Sequence, residues 1–277
     1  MLSRLYGETI AISAPSERPA VFLYTLDEQG HPTGPSQVLA PPAPDTSGFG
    51  RSLALWNNAL VVGAPSFDRG DNRDEGAAML YTRDPTTGTW SPEPVALPPQ
   101  AGTRYDFAGT SVAVNDEFVA VGTPGAQRDA ATRDDEGAVH LFRVTDGQHL
   151  AVLWPDGDET AFGQMGHSVA LSGRLLAAGA PGPFTLDERH DDYQGSGSTF
   201  IFDLTAPSAP SVIKHELPLD PLDHFGSAVS IDDEQIAVGA AFEDSCATSG
   251  AGDDANNDCQ DNGAVYIVPL TPKDERE

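Results

Sequence analysis

The sequence predicts an all-β fold, a β-propeller of about five four-stranded antiparallel blades, and three observations predict it. A short pattern returns five times, at Ser13-Ala14-Pro15, Gly63-Ala64-Pro65, Gly122-Thr123-Pro124, Gly179-Ala180-Pro181 and Gly239-Ala240-Ala241. A second anchor precedes the last four copies: Phe49-Gly50, Ala108-Gly109, Met165-Gly166 and Phe225-Gly226. Each glycine of that anchor stands 13 positions before the first residue of the next pattern, whereas successive copies are offset by 50, 59, 57 and 60 positions. A fixed short spacing inside a variable long one marks a rigid unit joined by tolerant loops. The third observation is that no window sustains apolar residues at i, i+3 and i+4, so helix is expected to be nearly absent.

Within one copy the elements follow in order. Ser52-Leu53-Ala54-Leu55 and Leu60-Val61-Val62 flank the polar turn Asn57-Asn58, which reads as a β-hairpin. Proline then stops the second strand, because it cannot donate to a ladder. Sister hairpins are Val112-Ala113-Val114 with Phe118 to Val121, Val169-Ala170-Leu171 with Leu175 to Ala178, and Val229-Ser230-Ile231 with Ile236-Ala237-Val238. After a long polar loop comes a third strand, at Ala20 to Tyr24, Ala78 to Tyr81, Val139 to Phe142, Thr199 to Phe202 and Val265 to Val268. Four of these five open just after Gly76, Gly137, Gly197 or Gly263. A weaker fourth strand ends the earlier copies at Val38, Val95, Leu150 to Leu153 and Val212. Four strands per copy is the size of a propeller blade. The expected blades span about 1–47, 48–105, 106–161, 162–223 and 224–270 of a single domain, 1–277. A lone blade cannot bury both faces, so the blades must stack, with the apolar residue of each Phe-Gly anchor wedged between neighbours.

Phe-Gly, then Gly-Ala-Pro at fixed distance, then Gly-Ala-Val-Tyr, resembles the FG-GAP repeat along essentially the whole chain. That repeat builds the β-propeller of integrin α subunits and of many bacterial secreted or surface proteins. The resemblance implies an extracellular or cell-surface binding propeller. In that family Asp-rich loops between strands one and two bind Ca²⁺. Here that connection is a tight turn in every copy, so those ligands are not carried over.

The ends bear on ring closure. Extrapolating the 13-residue spacing back from Ser13 places the first anchor glycine at position zero, and the last copy stops after its third strand. Ser3 and Arg4 also break the apolar pattern of the first inner strand. These features favour an incomplete ring from a longer propeller over a closed five-bladed one. They also predict self-association through open blade edges, since an unpaired edge recruits strands. No apolar run reaches 18 residues, so no membrane insertion is expected, and Met1 to Arg4 does not open a signal peptide.

The formal net charge of −27 excludes nucleic acid as a partner, because phosphate contact needs basic surface. It reads first as solubility or salt adaptation and second as attraction for cations. Cys246 and Cys259 share one loop, and no further Cys or His stands nearby to complete a metal site. They read as an extracellular disulfide.

The loops between strands two and three carry repeated acidic clusters: Asp68, Asp71, Asp74 and Glu75; Asp134, Asp135 and Glu136; Asp191 and Asp192. In a meander these loops share one rim, and the short turns at 57–58, 115–117, 172–173 and 232–234 share the other. The loop rim is therefore the expected ligand face, for a protein or a glycan. Asp253, Asp254, Asn256, Asp258 and Asp261 supply hard oxygens of the kind Ca²⁺ takes, although the spacing is no EF-hand and a solvated acidic loop is the simpler reading. Arg69-Gly70-Asp71 matches the tripeptide that integrins bind, but it recurs in no other copy. No Gly-x-Ser-x-Gly, His-Glu-x-x-His or phosphate loop is present, and the seven histidines are scattered along the chain. The leading expectation is a non-catalytic binding propeller. The rivals are a hydrolase or lyase with carboxylates in the central channel, and a structural spacer in a large surface protein.

Overall fold

The computed structural model describes residues 3–15, 19–43, 46–128, 135–155, 163–182, 196–215, 223–243 and 262–270. Among them every regular element is a strand, and the strands form five antiparallel sheets in chain order. The first holds β1 (Ser3–Tyr6), β2 (Thr9–Ala14), β3 (Ala20–Leu26) and β4 (Pro32–Leu39). The second holds β5 (Ser52–Trp56), β6 (Ala59–Ala64), β7 (Ala77–Thr82) and β8 (Val95–Leu97). The third holds β9 (Val112–Val114), β10 (Phe118–Thr123), β11 (Ala138–Arg143) and β12 (His149–Leu153). The fourth holds β13 (Ser168–Ser172), β14 (Leu175–Ala180), β15 (Ser198–Asp203) and β16 (Ser211–His215). The fifth holds β17 (Phe225–Ile231), β18 (Gln235–Ala240) and β19 (Ala264–Pro269). Each sheet is a simple meander, so the order of strands in space is their order in sequence.

Local chemistry sets the hairpins. Asn57 takes a left-handed φ of 48° in the β5–β6 turn, a conformation asparagine tolerates. In the β9–β10 turn Asn115 Oδ1 accepts from the amides of Glu117 and Phe118; in β17–β18 Asp232 Oδ1 accepts from those of Glu234 and Gln235. A short polar side chain thus replaces the missing ladder bond.

The repeat alignment holds in the ladder. Gly63, Gly122, Gly179 and Gly239 pair with Ala78, Val139, Thr199 and Val265, the same register in four sheets. The anchor glycines Gly50, Gly109, Gly166 and Gly226 share a left-handed φ of 86°, 88°, 91° and 98°. A side chain there would be strained, which explains glycine in every copy.

The core lies between sheets rather than within one. Ala11, Val21 and Leu23 of the first sheet meet Leu60, Val62 and Met79 of the second. Val61, Ala78 and Leu80 meet Val119, Val121 and Phe142 of the third. Ala120, Val139 and Leu141 meet Leu176, Ala178 and Phe200 of the fourth. Ala177 and Ile201 meet Ile236, Val238 and Tyr266 of the fifth. The anchor residues Phe49, Ala108, Met165 and Phe225 are fully buried in these four layers, one in each. The expected wedge between neighbours is therefore what they form.

Consecutive sheets touch through their first strands, β1 on β5, β5 on β9, β9 on β13 and β13 on β17. Among the described residues no comparable packing joins β17 to β1. Accordingly the middle sheets are covered on both faces and the outer two on one. Strands β6 and β10 are buried throughout, whereas β2 and β19 alternate between a covered and an open side. Ser3 and Arg4, which interrupt the apolar pattern, lie exposed on β1, and so does the apolar Leu5.

Candidate functional site: the loop rim

The two rims of the stack are built differently. On one, turn bonds to turn. Trp56 Nε1 donates to Asp116 Oδ1 at 2.7 Å, Asn115 Nδ2 to the Gly173 carbonyl at 2.7 Å, and Ser172 Oγ to Asp233 Oδ1 at 3.1 Å. Arg174 forks onto the Glu117 carboxylate of the preceding turn. This rim is not trimmed everywhere. The β7–β8 connection is long, buries Trp90, and exchanges two hydrogen bonds between Trp90 backbone and the Gln37 amide of the neighbouring sheet.

On the other rim the long loops cross onto the next sheet. The backbone carbonyls of Arg73, Asp74 and Glu75 accept from the amides of Tyr105, Phe107 and Ala108. Those of Asp135 and Glu136 accept from Gln164 and Met165 in the same way. The described parts of both loops are thus fixed by the sheet that follows them.

The carboxylates on this rim divide by burial. Asp68 and Asp71 are exposed, and Asp68 Oδ1 accepts from the Asp74 amide at 2.7 Å. Asp74 is half-buried, with Arg73 Nε at 3.3 Å. Glu75, grouped with them in the sequence, is fully buried. Arg69 forks onto both its oxygens, and Asn72 Nδ2 bridges it to the Gly102 carbonyl. A buried carboxylate is tolerable only when paired and bonded in this way. The bond to Glu75 in turn raises the Arg69 pKa. The Arg69-Gly70-Asp71 tripeptide therefore has its arginine tied inward, with Asp71 alone at the tip of the turn.

The third copy repeats the pair more loosely. Arg128 amide donates to Glu136 Oε2 at 3.2 Å, while its guanidinium reaches the Pro155 carbonyl and lies over the Trp154 ring, 5.5 Å from its centre. Asp135 accepts from Gln127 Nε2 at 3.3 Å. Between the two loops sits Asp106, whose oxygens accept from the Thr103 amide and hydroxyl, both at 2.7 Å. Burial pushes its pKa up to about 6, and the neighbouring charges of Glu75 and Asp135 add to the rise. A raised carboxyl pKa favours the fold below the ordinary value of 3.8, and that contribution is lost as pH rises through about 6.

The expected residues Asp134, Asp191, Asp192, Asp253, Asp254, Asn256, Asp258 and Asp261, and the cysteines Cys246 and Cys259, lie outside the described residues. Among the described residues no three His, Cys, Asp or Glu side chains converge as a metal site.

The histidines require a correction. Scattered in sequence, two of them meet in space: His140 Nδ1 lies 3.1 Å from His149 Nε2 across β11 and β12. The Gln100 amide also points at His140 Nδ1, at 3.3 Å. An amide only donates, so Nδ1 is an acceptor and His149 Nε2–H donates to it. Burial, with His149 adding, pushes the His140 pKa down to about 3. The one sequence signal for this pair is Asp146-Gly147, a hairpin turn that brings the flanking strands together.

No protein-family model matches this sequence, and no curated protein matches it. Among the described residues no helix is long and apolar enough to cross a membrane.

Proposed function

We propose that the chain is a non-catalytic interaction module of β-propeller type, akin to FG-GAP repeat proteins, that binds a protein or glycan ligand on its loop rim. One observation carries the reading: the loops that hold Asp68, Asp71, Asp74 and Asp135 are backbone-bonded to the next sheet, while the opposite rim is mostly closed by turn-to-turn bonds. A fixed platform of exposed and half-buried carboxylates recognises cationic or hydroxyl-rich ligands without ordering itself on binding. The expected ligand is basic or polar, and its binding weakens as salt rises. The carboxyl with the most raised pKa among the described residues, Asp106, has both oxygens engaged by Thr103, which argues against an acid–base role.

The test is a glycan and protein array probed with the chain and with a variant carrying Asp68→Asn, Asp71→Asn and Asp135→Asn. Ligands held by the parent and lost by the variant support the reading. Loss of binding by a variant altered only on the turn rim, with none by the loop variant, sinks it. Secretion is the companion proposal. Thiol counting after denaturation should find Cys246 and Cys259 bonded in oxidised protein, and two free thiols would remove the extracellular inference. Calcium at Asp253, Asp254 and Asp258 is tested by melting with and without Ca²⁺ in the parent and in the triple Asn variant.

A further inference from the structure

The open face of the fifth sheet carries two of the three parts of a joint that other sheets use to hold their neighbours. Three interior joints share one construction. Ser52, Ser111 and Ser168 Oγ donate to the carbonyls of Gly109, Gly166 and Gly226 in the following sheet, at 2.8, 2.7 and 2.8 Å. That carbonyl fills the space a side chain would need on Gly63, Gly122 and Gly179, where a Cβ would stand 2.1, 2.0 and 1.9 Å from it. Beside it, Gly76, Gly137 and Gly197 form parallel bridges to Ala108, Met165 and Phe225. Serine donor, bare glycine and left-handed glycine together grip an apolar residue followed by glycine.

The fifth sheet keeps two of these three groups, Gly239 and Gly263, the latter with a left-handed φ of 69°, while Ala228 pairs with Gly239 where Ser52 and Ser168 pair with Gly63 and Gly179. Among the described residues no apolar–glycine pair seats against them. Ser227 Oγ donates to the Gly239 carbonyl of its own sheet at 3.1 Å, and the nearest atom to a Cβ on Gly239 is 3.3 Å away. Ser227, Gly239 and Gly263 line a groove of about 370 Å³ with Ala241, Asn262 and Val265. Val265 and Ile267, whose sister positions are buried, stand 70% and 57% exposed beside it.

We infer that this groove is a docking site for the leading hairpin of a further blade of the same repeat type, seated through an apolar–glycine pair. The occupant follows from continuity with the three joints already made: each is filled by such a pair and by nothing else. A second copy of this chain does not supply one, because Phe49, Ala108, Met165 and Phe225 are all fully buried in joints of their own. The inference concerns the end of the stack and not the loop rim, so either proposal stands if the other fails.

The test uses the full ¹⁵N-labelled chain and an acetylated peptide copying residues 222–231, which contain Phe225-Gly226-Ser227. Saturable amide shifts at Ser227, Gly239 and Gly263 are expected, with Kd of about 1 mM or tighter. They should vanish with a peptide in which Gly226 is alanine, and with the protein variant Gly239→Val. Tethering the peptide through a flexible linker to the C-terminus should raise Tm by about 2–4 °C over the alanine-peptide tether. Absence of both effects overturns the inference. So does a response that survives Gly239→Val, which places the peptide elsewhere. Concentration-dependent dimers that shift the same three amides without peptide also overturn it, because the occupant is then a second copy.

Discussion

Leu141 in the third sheet and Ile267 in the fifth hold the same place in the repeat, yet the first is fully buried and the second is 57% exposed. Both sit on a strand paired to its own hairpin in the same register. What differs is the presence of another sheet. Leu141 packs on Leu176 and Phe200 of the fourth sheet, whereas among the described residues no sheet covers the face of Ile267. The contrast teaches that one repeat unit makes its ladder but not its core. Hydrogen bonding is settled within a sheet and burial between sheets, as expected of a stack stabilised by nearest-neighbour interfaces.

The largest test of this contrast is a single methyl group. Gly179→Ala drives a Cβ to 1.9 Å from the Gly226 carbonyl, backbone against backbone, and is expected to cost about 4 kcal/mol or more in denaturant unfolding. Gly239→Ala, the same substitution one copy later, meets no backbone within 3.5 Å but only the Ser227 hydroxyl at 3.3 Å, a side-chain end that can turn aside, and its φ is not left-handed. It should lie within about 0.5 kcal/mol of the parent. Equal losses at the two sites would break the comparison.

Leu141→Ala against Ile267→Ala is the next test. Emptying a fully buried site costs about 3 kcal/mol, while trimming a side chain more than half exposed should cost under about 1 kcal/mol. Matching losses would mean that the fifth sheet is covered in solution.

A pH titration sharpens the picture of the covered third sheet. His140 stands where Met79 and Phe200 stand in its neighbours. Its pKa is pushed below the ordinary 6.5 to about 3, so between these values the unfolded chain binds more protons. The stability it lends is present above about 6.5 and is lost as pH falls toward 3. His140→Phe, matching Phe200, should flatten the stability–pH curve across that window. An unchanged curve would show that the His140–His149 pair is open to water.

The smallest test concerns the serine latches. Ser168→Ala removes the donor to the Gly226 carbonyl of the next sheet and should cost about 1 kcal/mol. In the fifth sheet the latch position is Ala228, and Ser227→Ala, one residue earlier, breaks only a bond within its own sheet beside an open groove and should cost a few tenths at most.

Much of this molecule was legible before its structure. Alternating apolar residues, Asn-rich turns and strand-stopping prolines are local signals, and the hairpins form where these stand. The anchor glycines were legible as a repeat, and their shared left-handed φ supplies the reason. The candidate site was legible in outline only. The repeated acidic loops do gather on one rim, but the sequence grouped Glu75 with Asp68 and Asp71, and nothing in the loop itself distinguishes them. The difference comes from Gly102 and Ala108, residues of the segment leading to the next sheet, which close over Glu75 and leave the other two in water.

The sequence by itself determined the unit: its strands, its turns, its register and the glycines that let neighbours approach. These depend on backbone geometry within some twenty residues of chain. Only the tertiary structure decided which glycines touch a carbonyl and which face an empty groove, which carboxylates are buried, and that His140 meets His149. Each of those depends on what packs against a surface, and identical local sequence carries no record of whether a neighbour is there.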